Sequence, residues 1–121
     1  MNSQEQKKLE TRITQIFQTV LKPKDRILLA ISGGSDSIFL FHQLKNFSKN
    51  LYIAHINHQL RPQSAKEEEF IKSLHEDKKT FIKKINFTKF TEEKGRKARY
   101  EFLQKTADRE KIKYILTAHH A

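Results

Sequence analysis

Apolar and polar positions along the chain show three patterns. Some segments repeat with a period near 3.6 residues, one alternates with a period near 2, and short segments between the helical ones are continuously apolar. Near the N-terminus, apolar residues recur at helical spacing and predict an amphipathic helix from about residue 4 to 21. These residues are Leu9, Ile13, Ile16, Phe17 and Val20. Pro23 should end this helix. Residues 27–31 then form an unbroken apolar run, which is typical of a central parallel strand buried on both faces.

The middle of the chain repeats this order of strand and helix. A helical stripe follows the first strand (Ile38, Phe39, Phe41, Leu44 and Phe47), and residues 51–56 predict a second strand. Ser64 with Glu67 three residues later has the spacing of a capping box, in which Ser64 would be the N-cap. The buried stripe of this next helix should be Phe70, Ile71 and Leu74.

The last third of the chain adds two strands around one helix. Residues 81–87 alternate apolar and polar, and Lys83 and Lys84 within them suit an edge strand that charge keeps from aggregating. A helix is expected from about residue 95 to 111, through Tyr100, Leu103 and Ala107, with Tyr100 in the core. Residues 113–118 predict a fourth strand.

This order of elements predicts an α/β fold: a Rossmann-like open parallel sheet with helices on both faces. No repeats or low-complexity linkers interrupt it, so 121 residues indicate one domain. Because residue 121 directly follows the fourth strand, we expect a sheet truncated there and a chain that is the N-terminal part of a larger domain.

Composition narrows the function classes only slightly. An apolar share of 36% with 31% charged residues and no long apolar run favours a soluble, cytoplasmic protein without membrane contact. The absence of cysteine excludes disulfides and thiolate chemistry. A net charge of +10 fits a polyanionic partner such as a nucleotide or RNA, and it fits a lysine-rich background composition equally well.

The stretch S-G-G-S-D-S, residues 32–37, lies between the first strand and the next helix. Gly33 and Gly34 allow consecutive backbone N–H groups to converge on an anion, and a helix that opens near Ser35 adds its positive end. Hydroxyls of Ser32, Ser35 and Ser37 add donors, whereas Asp36 would repel phosphate unless a magnesium-like ion lies between them. The alternative is a tight turn of small residues. The P-loop lysine and the third glycine of the dinucleotide fingerprint are both missing.

S-G-G-x-D-S resembles the pyrophosphate loop of the ATP pyrophosphatases. Three further segments are similar to tRNA(Ile)-lysidine synthetase: HINHQLRPQSAKEEEF (55–70), RKARY (96–100) and LTAHH (116–120). Together these motifs cover nearly the whole chain. Gly95 departs from the family pattern, which usually has alanine there.

The resemblance implies ATP and Mg²⁺ as cofactors, and tRNA(Ile) with a wobble cytidine and free L-lysine as partners. Cytidine O2 would attack the α-phosphate of ATP, and the ε-amine of lysine would then displace AMP. By the same resemblance the tRNA-binding domains are absent from this chain, which alone should bind ATP weakly and form no lysidine. The oligomeric state stays open, with a homodimer as one option.

The resemblance also carries the site residues. It assigns the β- and γ-phosphates to the phosphate loop (Ser32, Gly33, Gly34, Ser35, Asp36 and Ser37). Asp36 would hold the metal and, with Arg99, act in catalysis. Backbone at Ala30 and Ile56 would contact adenine, and His58 and Arg61 would order the loop beside the nucleotide.

Other interpretations stay open. Histidines at two predicted strand ends could hold zinc (His55, His58, His119 and His120), and Arg96 and Arg99 could clamp phosphate or RNA or lie on a solvated helix face. A different ATP pyrophosphatase could adenylate another acceptor, although the missing cysteine argues against thiolation. A non-catalytic nucleotide-binding module is the third option, and Asp36 argues against it, because a sensor has little use for a carboxylate there.

Overall fold

The structure, a computed structural model, describes Gln4 and residues 21–32, 35–59, 63–86 and 88–117, and for Ser35 the backbone alone. The elements in chain order are β1 (Arg26–Ala30), α1 (Ser35–Phe47), β2 (Asn50–Asn57), α2 (Ser64–Leu74), a 3₁₀ turn (Asp77–Lys79), β3 (Thr80–Lys84), α3 (Glu92–Glu110) and β4 (Tyr114–Thr117). The predicted helix at 4–21 lies almost wholly outside the described residues, as do Gly33, Gly34, Arg61, His119 and His120.

The described strands form one sheet in the order β3-β2-β1-β4, and every neighbouring pair is parallel. The predicted α/β, Rossmann-like parallel sheet is therefore confirmed. The chain moves outward from β1 to β2 and β3, and then crosses back to place β4 on the other side of β1. Open sheets bind ligands outside the carboxyl ends of the strands at such a reversal. The fold thus points to the end of β1 as the place for a site.

Both faces of the sheet are buried, as the apolar run of β1 predicts. Side chains of β1 alternate between the two cores: Ile27 and Leu29 pack beneath α1 and α2, and Leu28 packs against α3. The larger core contains Phe41, Leu44, Ile53 and Ile71, and the smaller contains Ala54, Leu103 and Ala107. Because β1 is buried on both sides, the position of its carboxyl end at Ala30, where the following segment begins, is fixed.

Helix α2 corrects two predictions. It begins at Ser64 with Gln63 as its N-cap, so Ser64 is not the predicted capping residue, and the first helical bond runs from the Glu67 N–H to the Gln63 carbonyl. Phe70 is 50% exposed, while Glu68 is buried on the side of Ile71. Because Glu68 finds a buried hydrogen-bond partner in Asn57 at the end of β2, the helix turns Phe70 outward.

The remaining differences lie at element ends and on α3. This helix begins at Glu92, earlier than predicted, because the Thr91 hydroxyl caps it by accepting from the Lys94 N–H at 3.1 Å. Tyr100 is 55% exposed, so its predicted place in the core is wrong. Strand β3 lies at a sheet edge, as predicted. Every helix among the described residues is too short or too polar to cross a lipid bilayer.

Candidate functional site

A cavity of about 210 Å³ opens at the carboxyl ends of the strands. The Cα partners of Ala30, the last residue of β1, are Ala54 on β2 and Thr117 on β4, which puts three strand ends side by side. The lining comes from these strands, the segments that follow them, α2 and α3: Ala30, Ile31, Ser32, Ala54, His55, Ile56, Asn57, His58, Ser64, Glu67, Arg99, Leu103 and Thr117. Ligand pockets commonly take this form, with apolar walls and a few convergent polar groups.

The backbone of Ile31, the first residue after β1, is fastened to β2. Its N–H donates to the Ala54 carbonyl at 2.8 Å, and its carbonyl lies 2.7 Å from His55 Nδ1. A carbonyl only accepts, so His55 Nδ1 must carry the proton and donate. The His55 ring is therefore held with Nδ1 as the donor, buried beneath the start of the loop.

The loop that follows is braced by α1. The Ser32 N–H donates to Ser37 Oγ at 3.3 Å, and the two hydroxyls are 3.4 Å apart. Ser37 is buried and Ser32 is exposed, so the Ser37 side chain acts inside the turn, while Ser32 reaches the cavity wall. The Ser32 amide is thus engaged within the protein. The predicted nest of amides at Gly33 and Gly34 lies outside the described residues and stays a prediction.

Arg99 enters the cavity from α3. Its side chain is half-buried, its Nε is buried without a hydrogen-bond partner in the described part of the chain, and its guanidinium carbon lies 5.7 Å from the ring centre of Tyr100. None of the ion pairs among the described residues includes Arg99. Buried charges in proteins are normally paired. An anion in the cavity would supply the missing partner.

His58 faces the same cavity and packs edge-on against Phe90, with ring centres 5.7 Å apart at 62°. Burial lowers the pKa of His58, and the charges of His55 and Arg99 lower it further. This histidine is therefore neutral at neutral pH. Phe90 fits because Gly95 lacks a side chain: a Cβ on Gly95 would lie 2.9 Å from Phe90 Cε2. Phe90 carries no motif, so the sequence offered no signal for it.

A closed polar network lies behind the cavity at the end of β2. Asn57 Nδ2 donates to Glu68 Oε1 at 3.2 Å, and Asn57 Oδ1 accepts from the Gln59 N–H at 2.8 Å. The other Glu68 oxygen pairs with Lys72 at 3.4 Å and Lys84 at 3.5 Å. Although burial raises the pKa of Glu68, the hydrogen bonds from Asn57 and Lys72 and the charges of Lys84 and Lys72 hold it below its ordinary value. The signal that sequence reasoning missed is an acidic residue three positions before Ile71, on the inward face.

The structure brings together five of the predicted site residues in the cavity lining: Ala30, Ser32, Ile56, His58 and Arg99. Asp36, half-buried in the first turn of α1, and Ser37 belong to the loop exit rather than to this lining. Arg96 is exposed on α3. No group of three metal-ligating side chains occurs among the described residues, which do not include His119 and His120. His55 donates from Nδ1 to the Ile31 carbonyl, which leaves only its Nε2 for a metal, and the described residues supply no group of ligands for it to join.

Comparison with known sequences identifies the family of the chain. The sequence profile of the PP-loop domain matches residues 5–121. Relatives named tRNA(Ile)-lysidine synthase include those of Clostridium acetobutylicum, 37% identical over 85% of this chain and 25% of the relative, and Streptococcus agalactiae serotype V, 41% identical over 79% and 24%. That of Wolbachia pipientis wMel is 37% identical over 87% of the chain and 28% of the relative. The chain spans about a quarter of the length of these relatives.

Proposed function

The chain belongs to the PP-loop family, and from that premise we propose that it binds ATP in the cavity for an enzyme that joins lysine to the wobble cytidine of tRNA(Ile). Family membership supports ATP as the ligand, and the names of the relatives support this tRNA and lysine as substrates. Because the chain matches only a quarter of those relatives, the activity of the whole protein is part of the proposal.

One observation carries the ATP site: Ser32, at the start of the S-G-G-S-D-S stretch, lines the same cavity as Arg99, a half-buried cation whose buried Nε has no hydrogen-bond partner among the described residues. The two residues are 67 positions apart in the sequence, and an anion between them would give the Arg99 Nε the partner that it lacks among the described residues. The N-terminal end of α1 at Ser35 adds the positive end of a helix beside the loop. Arg99 and the positive end of α1 favour a polyphosphate as the ligand, and the carboxylate of Glu67 in the same lining would need a cation between it and the phosphates.

We assign the β- and γ-phosphates to residues 32–37 and the adenine to backbone near Ala30 and Ile56. Ala30 and Ile56 lie at the ends of neighbouring strands and both line the cavity, which supports the adenine assignment. Arg99 would contact the phosphate at which the bond changes occur. His58, and Arg61 outside the described residues, would order the segment after β2.

The residues present fit a magnesium ion that arrives with ATP. Mg²⁺ usually takes one or two carboxylates, with phosphate oxygens and water as the remaining ligands, and Asp36 in the first turn of α1 offers one carboxylate beside the loop. Bound there, the ion would neutralise charge on the departing pyrophosphate.

The chain's own groups would act through position and charge. In the first step cytidine O2 bonds to the α-phosphorus while the bond to the pyrophosphate oxygen breaks. In the second, the lysine ε-amine bonds to C2 of the cytidine, the C2–O2 bond breaks so that AMP departs with that oxygen, and the amine releases a proton to solvent. Donors fixed before the reaction stabilise negative charge as it develops. The braced Ser32 turn and Arg99 have this property, and no covalent protein intermediate is needed.

The reaction is tested by incubating the product of the full-length gene with ATP, labelled lysine and tRNA(Ile) that carries a wobble cytidine. We expect label in the tRNA and one AMP and one pyrophosphate per label. The same tRNA with a wobble uridine is the matched control and should stay unlabelled. Label in a different acceptor would select another ATP pyrophosphatase, and ATP binding without turnover would select a non-catalytic module.

The role of Asp36 is tested by calorimetry of ATP binding with and without Mg²⁺. We expect Asp36→Ala to abolish most of the magnesium dependence, whereas Asp77→Ala, in the exposed 3₁₀ turn before β3, should leave it intact. An unchanged magnesium dependence in Asp36→Ala would remove Asp36 from the metal site.

A further inference from the structure

We propose that His55 is a positioning residue for the phosphate loop: its Nδ1–H sets the direction in which the chain leaves β1 and enters residues 32–37. This role rests on the proposed ATP site. It differs from the zinc interpretation of His55 and from any direct part in the reaction, because the ring acts through the backbone of Ile31.

Ile31 is the last residue before the loop, and both of its backbone groups are held by consecutive residues of β2. The Ala54 carbonyl accepts from its N–H at 2.8 Å, and His55 Nδ1 donates to its carbonyl at 2.7 Å, across 24 positions of sequence. The first bond continues the strand ladder. The second is made by a side chain, so it exists only because position 55 is a residue with a donor at that place.

The next peptide is held from the other side. The Ser32 N–H donates to Ser37 Oγ on α1, and that hydroxyl is buried. The chain is therefore clamped at Ile31 by β2 and at Ser32 by α1, immediately before the two glycines. Glycines allow many backbone directions, so a fixed direction of entry must come from their neighbours. His55 supplies one of the side-chain hydrogen bonds that hold this entry among the described residues.

Burial strengthens the argument. His55 is 6% exposed, so loss of its donor would leave the Ile31 carbonyl without this bond in a place with little water. His55 Nε2 makes no hydrogen bond with any described residue. Within the described structure, the polar function of the ring thus rests on Nδ1. The rival role is a direct contact of Nε2 with the nucleoside, since His55 also lines the cavity.

Two amide variants separate these roles, because each copies one ring nitrogen. The amide nitrogen of His55→Asn lies as many bonds from Cβ as Nδ1 does, and that of His55→Gln corresponds to Nε2. The probes, applied to the full chain by calorimetry with Mg²⁺, are inorganic pyrophosphate, ATP and AMP. Pyrophosphate reports the loop alone, and AMP reports the nucleoside half. Thermal unfolding verifies that each variant is folded.

We expect His55→Asn to bind pyrophosphate and ATP nearly as the unaltered chain does. His55→Gln should bind both roughly three- to tenfold more weakly, the typical effect of one hydrogen bond. AMP affinity should be equal in all three proteins. Full pyrophosphate affinity in His55→Gln, or weaker AMP binding that accompanies weaker ATP binding, would overturn the proposal.

Failure of the ATP site itself gives a different result. If the unaltered chain binds neither pyrophosphate nor ATP, both the site and the role of His55 are wrong. If it binds both and only the Asn and Gln pattern fails, the site stands and His55 is not a positioning residue. If the pattern holds while the full-length product forms no lysidine, the proposed reaction fails and the positioning role stands.

Discussion

Glu68 and Arg99 are two charged side chains turned inward beside the same cavity, and they differ in their partners. Glu68, 3% exposed, accepts from Asn57 and pairs with Lys72 and Lys84. Arg99 is half-buried, and its Nε has no hydrogen-bond partner in the described structure. Among the described residues the fold pairs the charge on α2 and gives the Arg99 Nε on α3 no partner, and the proposed ATP site depends on this difference. Glu68 therefore has a structural role, whereas Arg99 has the binding role proposed above.

Removal of the Arg99 charge should have the largest effect, and it should act on binding. We expect Arg99→Met to weaken ATP binding roughly 10- to 100-fold, which is the range for hydrogen bonds to a charged group. The free energy of unfolding without ligand should stay equal or rise, because a partly buried, unpaired charge is lost. Calorimetry and urea unfolding measure the two quantities.

Arg96→Met is the matched control, since Arg96 is exposed on the same helix and outside the cavity lining. It should change neither quantity appreciably. An equal loss of ATP affinity in both variants would show that general positive charge, and not the position of Arg99, attracts the nucleotide.

Removal of Glu68 should act on stability. We expect Glu68→Ala to lower the free energy of unfolding by about 1–3 kcal/mol, because the buried Asn57 amide loses its shorter hydrogen bond and keeps only the 3.4 Å bond to the Ser64 carbonyl. Glu68→Gln keeps an oxygen for Asn57 and should cost less than about 1 kcal/mol, as the two lysines are exposed and return to water. Urea unfolding midpoints make the measurement.

The neighbour Glu69 provides the control for this network. Its side chain is 73% exposed and pairs with the same Lys72 at 3.5 Å. Glu69→Ala should change the free energy of unfolding by less than about 0.5 kcal/mol. If Glu68→Ala and Glu69→Ala lower the free energy of unfolding by the same amount, the burial of Glu68 and its bond to Asn57 do not contribute to stability as expected.

The pH dependence of stability should show the same network with a smaller effect. Because the pKa of Glu68 is held below its ordinary value of 4.5, its stabilising contribution is complete above that pH and is lost as pH falls through the folded value. The advantage in thermal midpoint of the unaltered chain over Glu68→Gln should therefore be constant near neutrality and shrink below about pH 4.5. An advantage that grows on acidification would contradict this sign.

The smallest effect on the free energy of unfolding is expected for Gly95→Ala, on α3, the helix that also carries Arg99. Alanine gains about 1 kcal/mol of helix propensity, and its Cβ must displace the end of the Phe90 ring, which is a movable side chain. We expect the two terms nearly to cancel, with a shift of the His58 ring signals in NMR as Phe90 moves. A loss above about 2 kcal/mol would mean that Phe90 cannot yield.

Local pattern predicted the elements better than their faces. The run at 27–31 and the helix that opens at Ser35 were predicted closely, because a central strand and the small residues after it leave few alternatives. Phe70 and Tyr100 were predicted as buried and are exposed. Hydrophobicity alone ranks Phe70 above Glu68, but the buried Asn57 at the end of β2 and the exposed Lys84 on β3 give the carboxylate partners that a periodicity argument does not include.

The sequence by itself determined the succession of strands and helices and the position of the S-G-G-S-D-S stretch, since both depend on residues adjacent in the chain. Only the tertiary structure decided that Arg99 lies at the same cavity as Ser32, that His55 holds the Ile31 carbonyl, and that Glu68 and not Phe70 turns inward. These contacts join residues far apart in sequence, and they are fixed by how the strands align and how the helices cover the sheet. Their partners therefore become neighbours only when the chain folds.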